Sequence, residues 1–125
     1  MSRRGGVAVE MALVLPVLLV LLVGTVDWGW FFVQQAGVVV IARDAAHAGV
    51  LDSEAPAAAA AARASAALTA SGVPATGQVV QVTETSASVG PVLTVAVQVT
   101  FEPLLGLVPC PEHLSARTTM RLAGE

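Results

Sequence analysis

The sequence predicts an α+β protein with one long N-terminal helix, a short alanine-rich second helix and a small three-stranded antiparallel sheet. Three observations carry that expectation. The front of the chain is an almost unbroken aliphatic run, residues 57–62 are all alanine, and from about residue 78 apolar and polar residues alternate one by one. The 125 residues leave room for one small domain. They are 55% hydrophobic and 12% charged, with a mean hydropathy of +0.77. A soluble domain is about 25% charged, so one segment must carry the apolar surplus.

The first element is that segment. No charged residue occurs from Met11 to Val26, where only Pro16, Gly24 and Thr25 interrupt the aliphatic run. Asp27 breaks it, and Trp28, Gly29, Trp30, Phe31, Phe32 and Val33 resume it. As a helix, residues 11–33 measure roughly 35 Å, enough to cross a bilayer core of about 30 Å. Trp28 and Trp30 lie near the far end, where amphipathic rings favour the membrane–water interface, and Asp27 falls in the same zone. Arg3 and Arg4 precede the run, and the next basic residue is Arg43. The excess of positive charge before the span predicts a cytoplasmic N-terminus and an extracytoplasmic remainder.

The helix continues past the membrane, over residues 6–50. Val38, Ile41, Ala42, Ala45, Ala48 and Gly49 recur at helical spacing, and Arg43, Asp44 and His47 share one side. From Val7 to about Gly49 it would be roughly 65 Å long. Pro16 is a point of bending, and Gly24, Gly29 and Gly37 are weak points or places of close approach.

Residues 51–125 form the expected extracytoplasmic domain. Asp52 or Ser53 can cap a second helix over about 54–71, with Pro56 in its first turn and Gly72 beyond its end. Strands are expected over about 78–86, 92–101 and 115–122. The middle one is the clearest, with Leu93, Val95, Val97, Val99 and Phe101 on one face. A sheet with one apolar face needs a cover, which the two helices can supply. Between Pro103 and Pro109, the apolar loop Leu104–Val108 can fill the end of the core, pack on the membrane or contact a partner subunit, and packing in the core is the first expectation.

The composition also excludes function classes. Six Arg, no Lys and a net charge of −3 exclude a nucleic-acid module built on a basic face. One cysteine, Cys110, excludes an internal disulfide framework and a cysteine-rich zinc site, though it could pair between chains. His47 and His113 are far apart and expected to face solvent. No Ser-His-acid grouping, phosphate loop or metal-ligand spacing is visible, so neither an enzyme, a cofactor nor a metal is expected.

Glu10 is the informative oddity. A carboxylate near hydrocarbon costs about 2–3 kcal/mol, so a plain anchor would gain by losing it. Ahead of it stand Arg3-Arg4, then Gly5-Gly6, then Val7-Ala8-Val9. That order resembles the class III signal of type IV pilins and pseudopilins. The resemblance implies cleavage by a prepilin peptidase after a cytoplasmic glycine, with retention of the apolar helix. Cutting between Gly5 and Gly6 places Glu10 fifth in the mature chain; cutting after Gly6 places it fourth, which favours Gly5. Residues 1–5 would then be a leader, and losing Arg3 and Arg4 would take the side-chain charge from −3 to −5.

A narrower likeness covers about fifty residues. Val9-Glu10-Met11-Ala12-Leu13-Val14-Leu15-Pro16, the step Asp27-Trp28-Gly29, Gln34-Gln35-Ala36 and Ala42-Arg43-Asp44-Ala45-Ala46 resemble TadE-like pseudopilins. These belong to the tight-adherence (Tad, or Flp-pilus) secretion machinery. Phe101-Glu102-Pro103-Leu104 and Thr118-Thr119-Met120-Arg121 are similar to its C-terminal part. Met11 departs from the family, where an aromatic is commoner. The resemblance implies a pilin-like α+β fold and a minor pseudopilin that takes part in assembly or priming of a Flp-type pilus serving surface adhesion. It implies as partners the prepilin peptidase, other pseudopilins, the major Flp pilin, an inner-membrane platform and a secretion ATPase. Two rivals remain open. One is a plain single-pass membrane protein with a small extracytoplasmic scaffold or sensing domain; the other is a secreted domain behind a cleaved signal peptide.

Overall fold

The computed structural model describes residues 3–88 and 90–122. Helix α1 spans Arg3–Leu51 and helix α2 spans Pro56–Ala70. A single 3₁₀ turn at Ala75–Gly77 leads into strands β1 (Gln78–Ala87), β2 (Gly90–Thr100) and β3 (His113–Arg121). The expected α+β plan is therefore present, with element ends shifted by up to three residues. Two compact units are distinguished: Met1–Phe32 with Glu102–Cys110, and Val33–Phe101 with Pro111–Glu125.

In the second unit the sheet is antiparallel in the order β1-β2-β3. Its register fixes which side chains share a face. Val80, Val97 and Ala116 stand in one row, Val82, Val95 and Thr118 in the next, and Glu84, Leu93 and Met120 in the third. Period-two alternation puts these on one face; Glu84 at its end stays exposed, while Leu93, Val95, Val97, Val99 and Phe101 are all buried. On the opposite face the Thr94 and Thr119 hydroxyls hydrogen-bond across the strands at 3.0 Å. Strand β3 starts earlier than expected, at His113, since Leu114 opposite Val99 is itself buried.

Small residues bring the helices in close. Helix α1 buries Val38, Ala42, Ala45, Ala46 and Gly49, and α2 buries Ala60, Ala64 and Leu68 at four-residue intervals. Gly49 is the tightest point. A methyl group there would collide with Leu93 of β2 and stand 2.7 Å from the Pro56 carbonyl oxygen. The β2 strand, the end of α1 and the start of α2 meet at this position.

The start of α2 departs from expectation. Asp52 Oδ1 accepts from the Glu54 and Ala55 N–H groups, both at 3.0 Å, which closes a turn ahead of the helix. The N-cap is Ala55, which supplies no side-chain bond. Neither Asp52 nor Ser53 caps the helix. The free N–H of Ala57 instead donates to Glu84 Oε1 of β1 at 3.0 Å. A carboxylate also suits the positive end of the helix. Pro56 occupies the first turn, where it has no N–H to orphan. At the other end Val73 N–H bonds to the Leu68 carbonyl and Gly72 N–H to that of Thr69. This is a Schellman closure, and Gly72 takes the left-handed φ of +80° that it requires.

Two polar ties complete the unit. Arg63 of α2 pairs with Asp44 of α1 at 2.7 Å, but both side chains are about half exposed, so the pair contributes only about 0–1 kcal/mol. Gln35 Nε2 of α1 donates to the Ser115 carbonyl of edge strand β3 at 2.7 Å.

The packing at Gly49 predicts that Gly49→Ala lowers stability by about 1–3 kcal/mol, since the Pro56 backbone cannot give way. Gly37→Ala should do the opposite, gaining up to about 1 kcal/mol, because a methyl there meets nothing within 4 Å. Denaturant titration of the full chain in detergent reads both. The same titration should show Glu84→Ala costing about 0.5–2 kcal/mol, with Glu84→Gln retaining much of the cap.

Candidate functional site

The first unit holds the front of α1 and the segment Glu102–Cys110. From Val7 to Leu22 the large apolar side chains are 51–72% exposed and point in every direction round the helix. The most apolar window has a mean hydropathy of 2.7, and none of it is buried within the protein. A core helix of a soluble protein would be mostly covered. This helix is long and apolar enough to cross a membrane. It runs through Pro16 without interruption, as spanning helices tolerate. Thr25 returns its hydroxyl to the Leu21 carbonyl at 2.8 Å, so the helix absorbs that polar group itself.

Gly5, Gly6 and Glu10 all lie in α1. A methyl group on Gly5 or Gly6 would meet nothing within 4 Å, so packing within this chain does not require glycine at either position. Glu10 is exposed and has no hydrogen-bond or ionic partner among the described residues. Arg3 and Arg4 fall in the first turn of α1, and their side chains lie outside what the structure describes. Among the described residues, nothing brings Gly5, Gly6 and Glu10 into a common contact.

Asp27 has a partner that the sequence did not reveal. Its carboxylate is 0% exposed, and Oδ1 accepts the backbone N–H of Leu105 at 3.0 Å. Oδ2 is also buried and, among the described residues, has no hydrogen-bond partner. One donor is few for a buried carboxylate. The loop that supplies it closes against α1 beside Gly24, where a methyl group would touch Val108 Cγ2 at 3.5 Å. Gly24 is thus a place of close approach, to a loop rather than to another helix. Gly29 and Gly37 face open space.

This corrects the expectation that Leu104–Val108 fills the core. The segment joins the first unit, and Leu104, Leu105 and Leu107 are 58%, 53% and 75% exposed. The loop is held instead by α1, through the bond from the Leu105 N–H to Asp27. Trp28 stacks with Phe31 and Phe32 at ring-centroid distances of 5.8 and 6.1 Å, on the helix turns next to Asp27. Trp30 is half-buried. His47 and His113 are exposed, as expected, and Cys110 is a half-buried free thiol. Among the described residues no three His, Cys, Asp or Glu side chains converge as a metal site would need.

Residues 5–47 match the model of the family described as TadE-like protein. This front segment is similar to TadE-like proteins. The match starts at Gly5, covers about a third of the chain, and includes Glu10, Asp27, Trp28 and the Ala42–Ala46 stretch. No curated protein and no solved structure matches the chain. The TadE-like segment contains Asp27 but not the loop that Asp27 holds, so their pairing is a property of this fold that the family match does not reach.

The hydrogen bond from Leu105 to Asp27 should be visible in amide exchange. Bonds to charged groups are worth about 1.5–3 kcal/mol, so Asp27→Leu should speed exchange at Leu105 by roughly 10- to 100-fold. Asp27→Asn keeps an acceptor oxygen and should leave most of the protection in place.

Proposed function

We propose that the chain is a minor pseudopilin that takes part in assembling or priming a Flp-type pilus of the tight-adherence system. The TadE-like match over residues 5–47 carries this reading. Two features of the structure support it. The exposed Glu10 has no internal partner among the described residues, which suits a carboxylate meant for another molecule. Gly5 and Gly6 serve no packing need, which suits glycines read by an external peptidase.

In this reading α1 spans the cytoplasmic membrane, with Arg3 and Arg4 on the cytoplasmic side and residues 51–125 outside. A prepilin peptidase cuts between Gly5 and Gly6. The cut frees an α-amino group next to lipid, where an unpaired charge costs several kcal/mol. Glu10 of a neighbouring subunit meets that amine, and paired charges are far less costly there than single ones. Loss of the two arginines also loosens the hold of the N-terminus on the anionic leaflet. The role is one of recognition, with no catalytic step on this chain and no nucleic acid. Its partners are the peptidase, other pseudopilins, the major Flp pilin, the inner-membrane platform and the secretion ATPase.

N-terminal sequencing of the cell-associated protein tests the cut. A start at Gly6 is expected, and Gly5→Leu should leave a precursor of unchanged mass. An intact start in the unaltered protein would point to a plain single-pass anchor, and a start beyond Val33 to a secreted domain. Glu10→Leu should leave cleavage and membrane insertion intact while reducing fibre production and adherence.

A further inference from the structure

We propose that the loop Leu104–Val108 is a second membrane contact, seated in the interfacial zone of the bilayer beside α1 and held there by Asp27. The inference rests on α1 being a membrane span, and four observations lead to it.

The loop lies at the level of Gly24 to Asp27, inside the apolar run rather than beyond it. Val20, Leu21, Gly24, Thr25 and Trp28 line one groove with Val108, and the helix stays apolar for a further turn and a half, to Val33. Any bilayer that receives Val20 to Val33 therefore meets the loop as well. The side chains at that level are apolar and outward: Leu104, Leu105 and Leu107 are all more than half exposed. Three adjacent leucines left in water form a patch that soluble surfaces avoid. The backbone sets the depth, since an irregular segment in hydrocarbon must satisfy its N–H groups. That of Leu105 is given to Asp27, while those of Leu104, Gly106, Leu107 and Val108 have no partner among the described residues and need the water and headgroups of the interface. Finally, Gly106, between the exposed Leu105 and Leu107, takes a left-handed φ of +65°. The loop carries no cation between Phe101 and Pro111, so the contact is with acyl chains and needs no anionic headgroup. A depth at the headgroup–acyl boundary, shared with Trp28 and Trp30, satisfies all four.

The test uses the full chain reconstituted in phosphatidylcholine vesicles. In a Cys110→Ser background a nitroxide is attached at Leu107→Cys, and its collision rates with oxygen and with an aqueous nickel chelate are measured by power saturation. Labels at Thr83→Cys on the exposed sheet face and at Val14→Cys in α1 serve as references. The Leu107→Cys label should be several-fold less accessible to nickel than the Thr83→Cys label, and more accessible to oxygen. Adding Asp27→Leu should raise its nickel accessibility toward that of the sheet label, while Asp27→Asn should not. Nickel access at Leu107→Cys equal to the sheet label would overturn the proposal. So would protection from both probes, which would indicate a protein neighbour such as a second copy. The Val14→Cys label separates the two premises: if it too reports water, the membrane span fails and not merely the loop.

Discussion

Close approach through small residues is the constraint on which the fold of the sheet-bearing unit depends. Alanine and glycine bury little apolar area each, so a core built on Ala42, Ala45, Ala46, Gly49, Ala60 and Ala64 needs close packing, as at Gly49 against the Leu93 side chain of β2 and the Pro56 carbonyl of α2. The sheet compensates by placing its larger side chains opposite them. Leu93, Val95, Val97 and Val99 come from one strand and fill the space that the alanines leave. Gly49 marks the limit of this economy, because backbone from α2 and side chain from β2 already occupy the position of its missing Cβ.

Helix α1 changes character along its length, and its residues record the change. Up to Val26 apolar side chains face outward on every side. From Val38 only one stripe is buried, while Arg43, Asp44 and His47 remain exposed. The first pattern suits a surrounding that is apolar all round, and the second suits a helix with one covered face. Asp27 stands between the two patterns, and the loop that covers it turns a charge at the end of an apolar run into a fastening.

Much of this was legible because it follows from local periodicity. The inward row Leu93, Val95, Val97, Val99 and Phe101 can be written from alternation alone, and the register then pairs it with Val80, Val82 and Leu114. The start of the second helix was less so. Asp52 and Ser53 are good capping residues by type, yet the cap comes from Glu84, 27 positions away from the amide it serves. No rule about flanking residues can find a partner that arrives on a strand. Leu104–Val108 shows the same limit. Its composition resembles core, but its amide at Leu105 is held by Asp27, 78 positions away.

The long apolar helix, the alanine-rich helix, the three alternating strands and the isolated Glu10 can all be read from residue order, since each is a pattern in neighbouring residues. Tertiary structure decided what Asp27, Glu84, Gly24 and Gly49 do. Each acts on a group remote in the chain: the Leu105 amide, the Ala57 amide, Val108 and Leu93 respectively. Periodicity reports which face of an element is apolar, whereas a hydrogen bond or a close contact needs two elements at a particular distance. Only the folded chain sets that distance.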